Sequence, residues 1–105
     1  MKCKICIDNP FMNCEKIYPL QQKSIQKIVD SLKDNNNIKK IIIFGSSVTT
    51  KCHINSDIDI YLELKENKKI NFPFVERAYD YWNNFTVNDL LMKEIQDKGV
   101  IVYES

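Results

Sequence analysis

GSSVTTKCHINSDIDIYL, residues 45–62, decides how this chain is read: a Gly-Ser pair follows an apolar run, and Ser-Asp-x-Asp then opens an alternating segment. In DIDIYLEL, residues 57–64, Ile58, Ile60, Leu62 and Leu64 fall on one side of a strand, with Asp57, Asp59, Tyr61 and Glu63 on the other, because successive strand side chains point to opposite faces. Asp57 and Asp59 therefore leave the same face about 6.5 Å apart at the backbone. Bare, they repel. A hard divalent cation such as Mg²⁺ removes the conflict, since it takes carboxylate oxygens and keeps other positions for water or phosphate. Carboxylates at this spacing can anchor two ions roughly 3.5 to 4 Å apart, a separation that serves both the attacking and the leaving oxygen of a phosphoryl group. Gly45 lets the backbone approach an anion, Ser46 and Ser47 add hydroxyl donors, and the residues after Gly45 can open a short helix whose free N–H groups favour phosphate.

Upstream of this stretch, Ile38 to Phe44 is a nearly continuous apolar block interrupted by Lys39 and Lys40, the pattern of a central strand buried on both faces. Before it, Pro19 can open a helix whose buried face is Ile25, Ile28, Val29 and Leu32, and the asparagines at 35–37 end that helix. Downstream, KENKKINFP is a polar connection of hairpin or short-crossover length, and FVERAYDYW, residues 74–82, is aromatic and β-prone enough for a third strand. Thr86 with Asp89 makes a capping-box-like start to a second helix, with Val87, Leu90, Leu91 and Ile95 facing inward and Gly99 closing it; VIVY is a last short strand. The expected fold class is α+β, a small mixed β-sheet with helices packed against it.

The combination of Gly45-Ser46, nine intervening residues and Ser56-Asp57-Ile58-Asp59 resembles the signature of the minimal nucleotidyltransferases of the DNA polymerase beta-like superfamily. The resemblance extends over nearly the whole chain, through the leading helix, the IIIFGS strand and turn, and the closing helix with KGVIVYE. It implies a single nucleotidyltransferase domain over residues 1–105, with residues 1–16 as a cysteine-containing lead. It implies Asp57 and Asp59 as ligands of two Mg²⁺ ions, with Mn²⁺ as the substitute, and Gly45, Ser46, Ser47 and Ser56 as the nucleotide-binding residues. It also implies a third carboxylate on a neighbouring strand that helps hold metal and prepares the attacking hydroxyl. Asp80, inside the β-prone run, is the choice; Asp89 is the competitor, placed second because Thr86-x-x-Asp89 already explains it as a helix-start residue, while Glu94 and Asp97 lie too far along the helix to join the sheet. The implied activity is transfer of AMP from ATP to a hydroxyl acceptor. The further implication is an antitoxin that adenylylates a tyrosine on a small helical toxin of the higher-eukaryote-and-prokaryote nucleotide-binding type. The alternative is a catalytically weak binding module of the same fold that acts by occluding its partner. Many family members carry basic residues and a glycine after the Gly-Ser pair, whereas this chain has Ser47, Val48, Thr49 and Thr50, leaving Lys51 as the nearest cation.

Bulk composition narrows the alternatives. With 105 residues and 44% hydrophobic content the chain suits one core. Fifteen basic against fourteen acidic residues leave no field to draw in long nucleic acid. No apolar segment reaches the roughly twenty residues needed to cross a bilayer, and the N-terminus lacks a signal peptide's apolar stretch, so a cytoplasmic location is expected. Cys3, Cys6, Cys14 and Cys52 are then read as thiols packed as small apolar groups, in preference to a zinc site completed by Cys52 and His53.

Overall fold

The computed structural model describes residues 2–105. Its first helix, α1, is Pro19–Leu32, and the first strand, β1, is Ile38–Phe44. A short 3₁₀ helix, Gly45–Val48, leads by a loop into β2, Ile58–Leu64. Strand β3, Tyr79–Asn83, helix α2, Asp89–Lys98, and strand β4, Val100–Glu104, complete the chain. The four strands form one sheet in the order β3-β2-β1-β4. β1 runs antiparallel to both β2 and β4, while β2 and β3 are parallel. No helix among the described residues is long and apolar enough to cross a membrane.

The central position of β1 follows from its apolar content on both faces. Ile41 and Ile43 join Ile58, Ile60, Leu62 and Leu64 of β2 beneath Ile25, Ile28, Val29 and Leu32 of α1. On the opposite face Ile42 and Phe44 meet Tyr61, Trp82, Leu91, Met92 and Ile95, so α2 covers the second side. Each enclosed Ile or Leu contributes about 1.5–3 kcal/mol relative to leaving it in water. The helix-spaced residues of α1 are all buried as expected.

Several boundaries differ from the sequence reading. β2 begins at Ile58, with Asp57 just outside it. The third strand is Tyr79–Asn83 instead of residues 74–82. Parallel pairing makes the connection over residues 65–78 a crossover, and Ile70 and Val75 bury their side chains in the α1-side core on the way. Phe74 stays 79% exposed; the stretch is tied down by isolated apolar anchors and carries no ladder. The second helix is capped by Asn88, whose side chain accepts from Leu91 N–H at 2.8 Å. Thr86 turns back to Asn83 instead, its Oγ1 accepting from Asn83 N–H, and Asp89 is the first helical residue. Leu90 is 85% exposed, contrary to the inward face assigned to it; Met92 packs in its stead. Gly99 ends α2 in an extended conformation, φ −68° and ψ 151°, open to any residue. Its role is space, because a Cβ there would lie 2.5 Å from Ile42 Cγ2 and 2.4 Å from the Ile95 carbonyl oxygen.

Candidate active site

At the end of the β1–β2 ladder Phe44 faces Asp59, and on the other side of β2 Asp59 faces Asp80 of β3 in register. A row therefore crosses the sheet from the Gly45 turn through Asp59 to Asp80. Gly45 has φ +73°, and a Cβ on it would lie 2.1 Å from Asp59 Oδ2. Only glycine tolerates both the left-handed backbone and this approach. Asp57 and Asp80 are exposed, whereas Asp59 is half-buried.

Burial above all, and then the carboxylates of Asp80, Asp57 and Glu94, push the Asp59 carboxyl from 3.8 up to about 6. Three other negative groups therefore bear on one carboxylate, in an enclosure that already disfavours its charge. Among the described residues no three His, Cys, Asp or Glu side chains are gathered closely enough to make a ready metal cage. The donor set nevertheless suits a hard cation: it is all oxygen, and a positive ion between Asp57, Asp59 and Asp80 would relieve the repulsion that raises Asp59.

The Gly-Ser turn forms the expected short helix. Ser46 is half-buried, but Ser47 is 0% exposed and its hydroxyl has no hydrogen-bond partner, so Ser47 presents no side-chain donor to solvent. Ser56 is 9% exposed and closes the preceding loop, its Oγ accepting from His53 N–H at 2.9 Å. His53 is itself exposed, and its Nδ1 accepts from Asn55 N–H. Beside Asp57 opens a cleft of about 460 Å³ lined by residues 54–57 and 76–78. Arg77, before β3, donates from its guanidinium to the Ile54 carbonyl across it.

Glu94 is the acidic residue the sequence reading misplaced. Its place late in the helix suggests that it cannot reach the sheet, yet Ile95 beside it packs on Phe44 and Tyr61, which brings Glu94 within electrostatic reach of Asp59. The signal was present in the register of α2: if Ile95 faces the sheet, its neighbour flanks the same surface. Asp89 is exposed at the helix start and is not among the groups acting on Asp59. Tyr61 is joined on the acidic face by Phe44 and Trp82, whose rings lie 5.5 Å apart.

The cysteines are all free thiols; Cys14 and Cys52 are buried and Cys6 is exposed. Gln22, fully buried, ties the lead down by accepting from Cys6 N–H at 2.7 Å and donating to the carbonyls of Lys4 and Ile17.

Residues 26–105 match the family model described as Polymerase beta, Nucleotidyltransferase. No match is found among curated proteins. The family match starts inside α1, so the lead and the first turns of that helix precede it.

Proposed function

Since the chain belongs to the polymerase beta nucleotidyltransferase family, and its general activity is nucleotidyl transfer, we propose that it moves AMP from Mg-ATP onto a hydroxyl group and releases pyrophosphate. The observation that carries this reading is the row Gly45–Asp59–Asp80: a glycine without room for a side chain, a half-buried carboxylate beside it and a second carboxylate in register.

Asp57 and Asp59 would hold divalent ions with Asp80 completing the set, and the ions would supply charge neutralisation for the triphosphate and a lowered pKa for the acceptor hydroxyl. Gly45 and Ser46 bind phosphate oxygens through the backbone and the Ser46 hydroxyl. Ser47 contributes through its backbone alone, because its hydroxyl is enclosed, and Ser56 keeps Asp57 at the strand entrance through its bond from His53. Asp80, exposed on the outer strand, accepts the proton of the attacking hydroxyl. The hydroxyl oxygen forms the new bond to the α-phosphorus as the bond to the bridging oxygen breaks, and pyrophosphate leaves with that oxygen.

The acceptor we assign is a tyrosine hydroxyl on a small helical toxin of the higher-eukaryote-and-prokaryote nucleotide-binding type, with this chain as its cytoplasmic antitoxin. Support comes from the exposure of Asp57 and Asp80, which leaves the site open to a macromolecular acceptor. The second reading, a binding module that occludes its partner without chemistry, is favoured by the turn itself, where no cation follows Ser46 before exposed Lys51. Incubation with labelled ATP, Mg²⁺ and the neighbouring gene's product, followed by intact-mass analysis, tests both. An added adenylate on the partner supports transfer; tight partner binding with no added mass supports the binding module.

A further inference from the structure

The β1–β2 ladder ends at Phe44 and Asp59. Between them the chain makes an excursion over residues 45–57 that holds the phosphate turn at one end and Asp57 at the other, with no strand pairing to fix either. Two hydrogen bonds from the start of α1 reach its two ends. Tyr18 N–H donates to the Ser47 carbonyl at 2.9 Å, and Gln21 Nε2 donates to the Ser56 carbonyl at 3.0 Å. Gln21 N–H in turn donates to the Tyr18 carbonyl at 2.9 Å, so both contacts issue from one rigid helical turn.

From this bracing we propose that Gln21 is a positioning residue that sets the phosphate turn and the metal-binding carboxylates at their working separation. The inference rests on the proposed transferase reading of the site. Residue 21 lies outside the family match, which begins at residue 26. Gln21 is 0% exposed and its Oε1 has no hydrogen-bond partner, like the enclosed hydroxyl of Ser47, so the amide bears a desolvation cost that its bond to the buried Ser56 carbonyl offsets only in part. A buried amide that is half satisfied, yet bonded to the residue next to Asp57, suits a part kept for geometry. Small misplacements of binding groups cost rate steeply, about a hundredfold for an ångström.

The test is Gln21→Leu, read by amide hydrogen exchange without ligand, thermal unfolding, and kinetics over a range of Mg-ATP concentrations. The expected result is faster exchange confined to residues 45–57, a modestly lower melting temperature because the Ser56 carbonyl loses its buried partner, and kcat/KM for Mg-ATP lower by roughly ten- to a hundredfold with the same pH profile. Unchanged exchange in residues 45–57 overturns the brace, whatever the activity. Faster exchange with unchanged kcat/KM overturns the positioning role while leaving the transferase reading intact. Wild-type protein that neither binds nor turns over Mg-ATP overturns the transferase reading and the positioning role together, and the exchange data then report only a structural brace. Should Gln21→Leu fail to fold, Gln21→Met, which keeps the unbranched length and lacks the donor to Ser56, answers the same question.

Discussion

In the absence of metal, replacing Asp59 by asparagine should make this protein more stable. The Asp59 carboxyl ionises at about 6 instead of 3.8, chiefly through burial and then through Asp80, Asp57 and Glu94. A folded-state pKa raised above the unfolded one means that the native state binds its proton more tightly across that interval. Stability therefore falls as pH rises from about 4 to about 6 and stays reduced above it. Roughly two pH units at about 1.4 kcal/mol each set an upper bound near ~3 kcal/mol, and solvent reaching part of the side chain brings the expected effect to about 1–2 kcal/mol. For a domain of this size that is a melting temperature higher by roughly 5–10 °C for Asp59→Asn at pH 7. Thermal unfolding followed by circular dichroism, in chelator and from pH 4 to pH 8, should show the two proteins converging at the acid end and separating toward neutrality. Millimolar Mg²⁺ should then raise the wild type and leave the variant unmoved, reversing the order. A variant that is less stable at every pH, or a Mg²⁺ response equal in both proteins, refutes the reasoning.

Gly45→Ala should lose at least about 1–2 kcal/mol from its left-handed backbone alone and should abolish Mg-nucleotide binding, since the new methyl group occupies the place of the Asp59 carboxylate; calorimetry and denaturant melts check the two parts. Asp80→Ala should retain most ATP affinity in calorimetry and lose transfer by roughly 10² to 10⁴ in the labelling assay. Asn88→Ala should cost about 1 kcal/mol by removing the cap on Leu91, whereas Asp89→Ala should cost less than that and leave transfer intact, both read by urea unfolding. Among the thiols, Cys6 should react with a thiol reagent in the native protein, while buried Cys14, whose pKa is pushed up by enclosure and then by Glu15 and the neighbouring thiols, should react only after unfolding.

Strong periodicity made much of this architecture legible. Ile58, Ile60, Leu62 and Leu64 could lie only on the core face once Asp57 and Asp59 were placed on the other, and Ile38–Phe44 had too few polar positions to be anything but central. The row of site residues was half legible. Gly45, Asp57 and Asp59 carry a local pattern, but the register of Asp80 against Asp59 is set by parallel pairing across a long crossover, which no local pattern encodes. Leu90 is misread because helical spacing fits either of two adjacent faces, and the face that packs carries Leu91, Met92 and Ile95, leaving Leu90 in solvent. Gln21 and Gln22 were overlooked for a similar reason: polar residues on a helix read as solvent-facing until the segments that need their amides are in place.

The strand order β3-β2-β1-β4 divides the sheet by position in the chain: the inner pair comes from the first part and both outer strands come from the last. Residues 65–69 between these parts are exposed and rich in lysine, a natural point for tryptic cleavage. A break there would leave one fragment holding Asp57 and Asp59 with both sheet edges bare, and another holding Asp80 on a strand with nothing to pair against. Neither piece has a complete carboxylate row, and each supplies what the other's backbone lacks. Catalysis recovered on mixing such fragments would therefore report fragment complementation directly, with the reaction itself as the readout of reassembly.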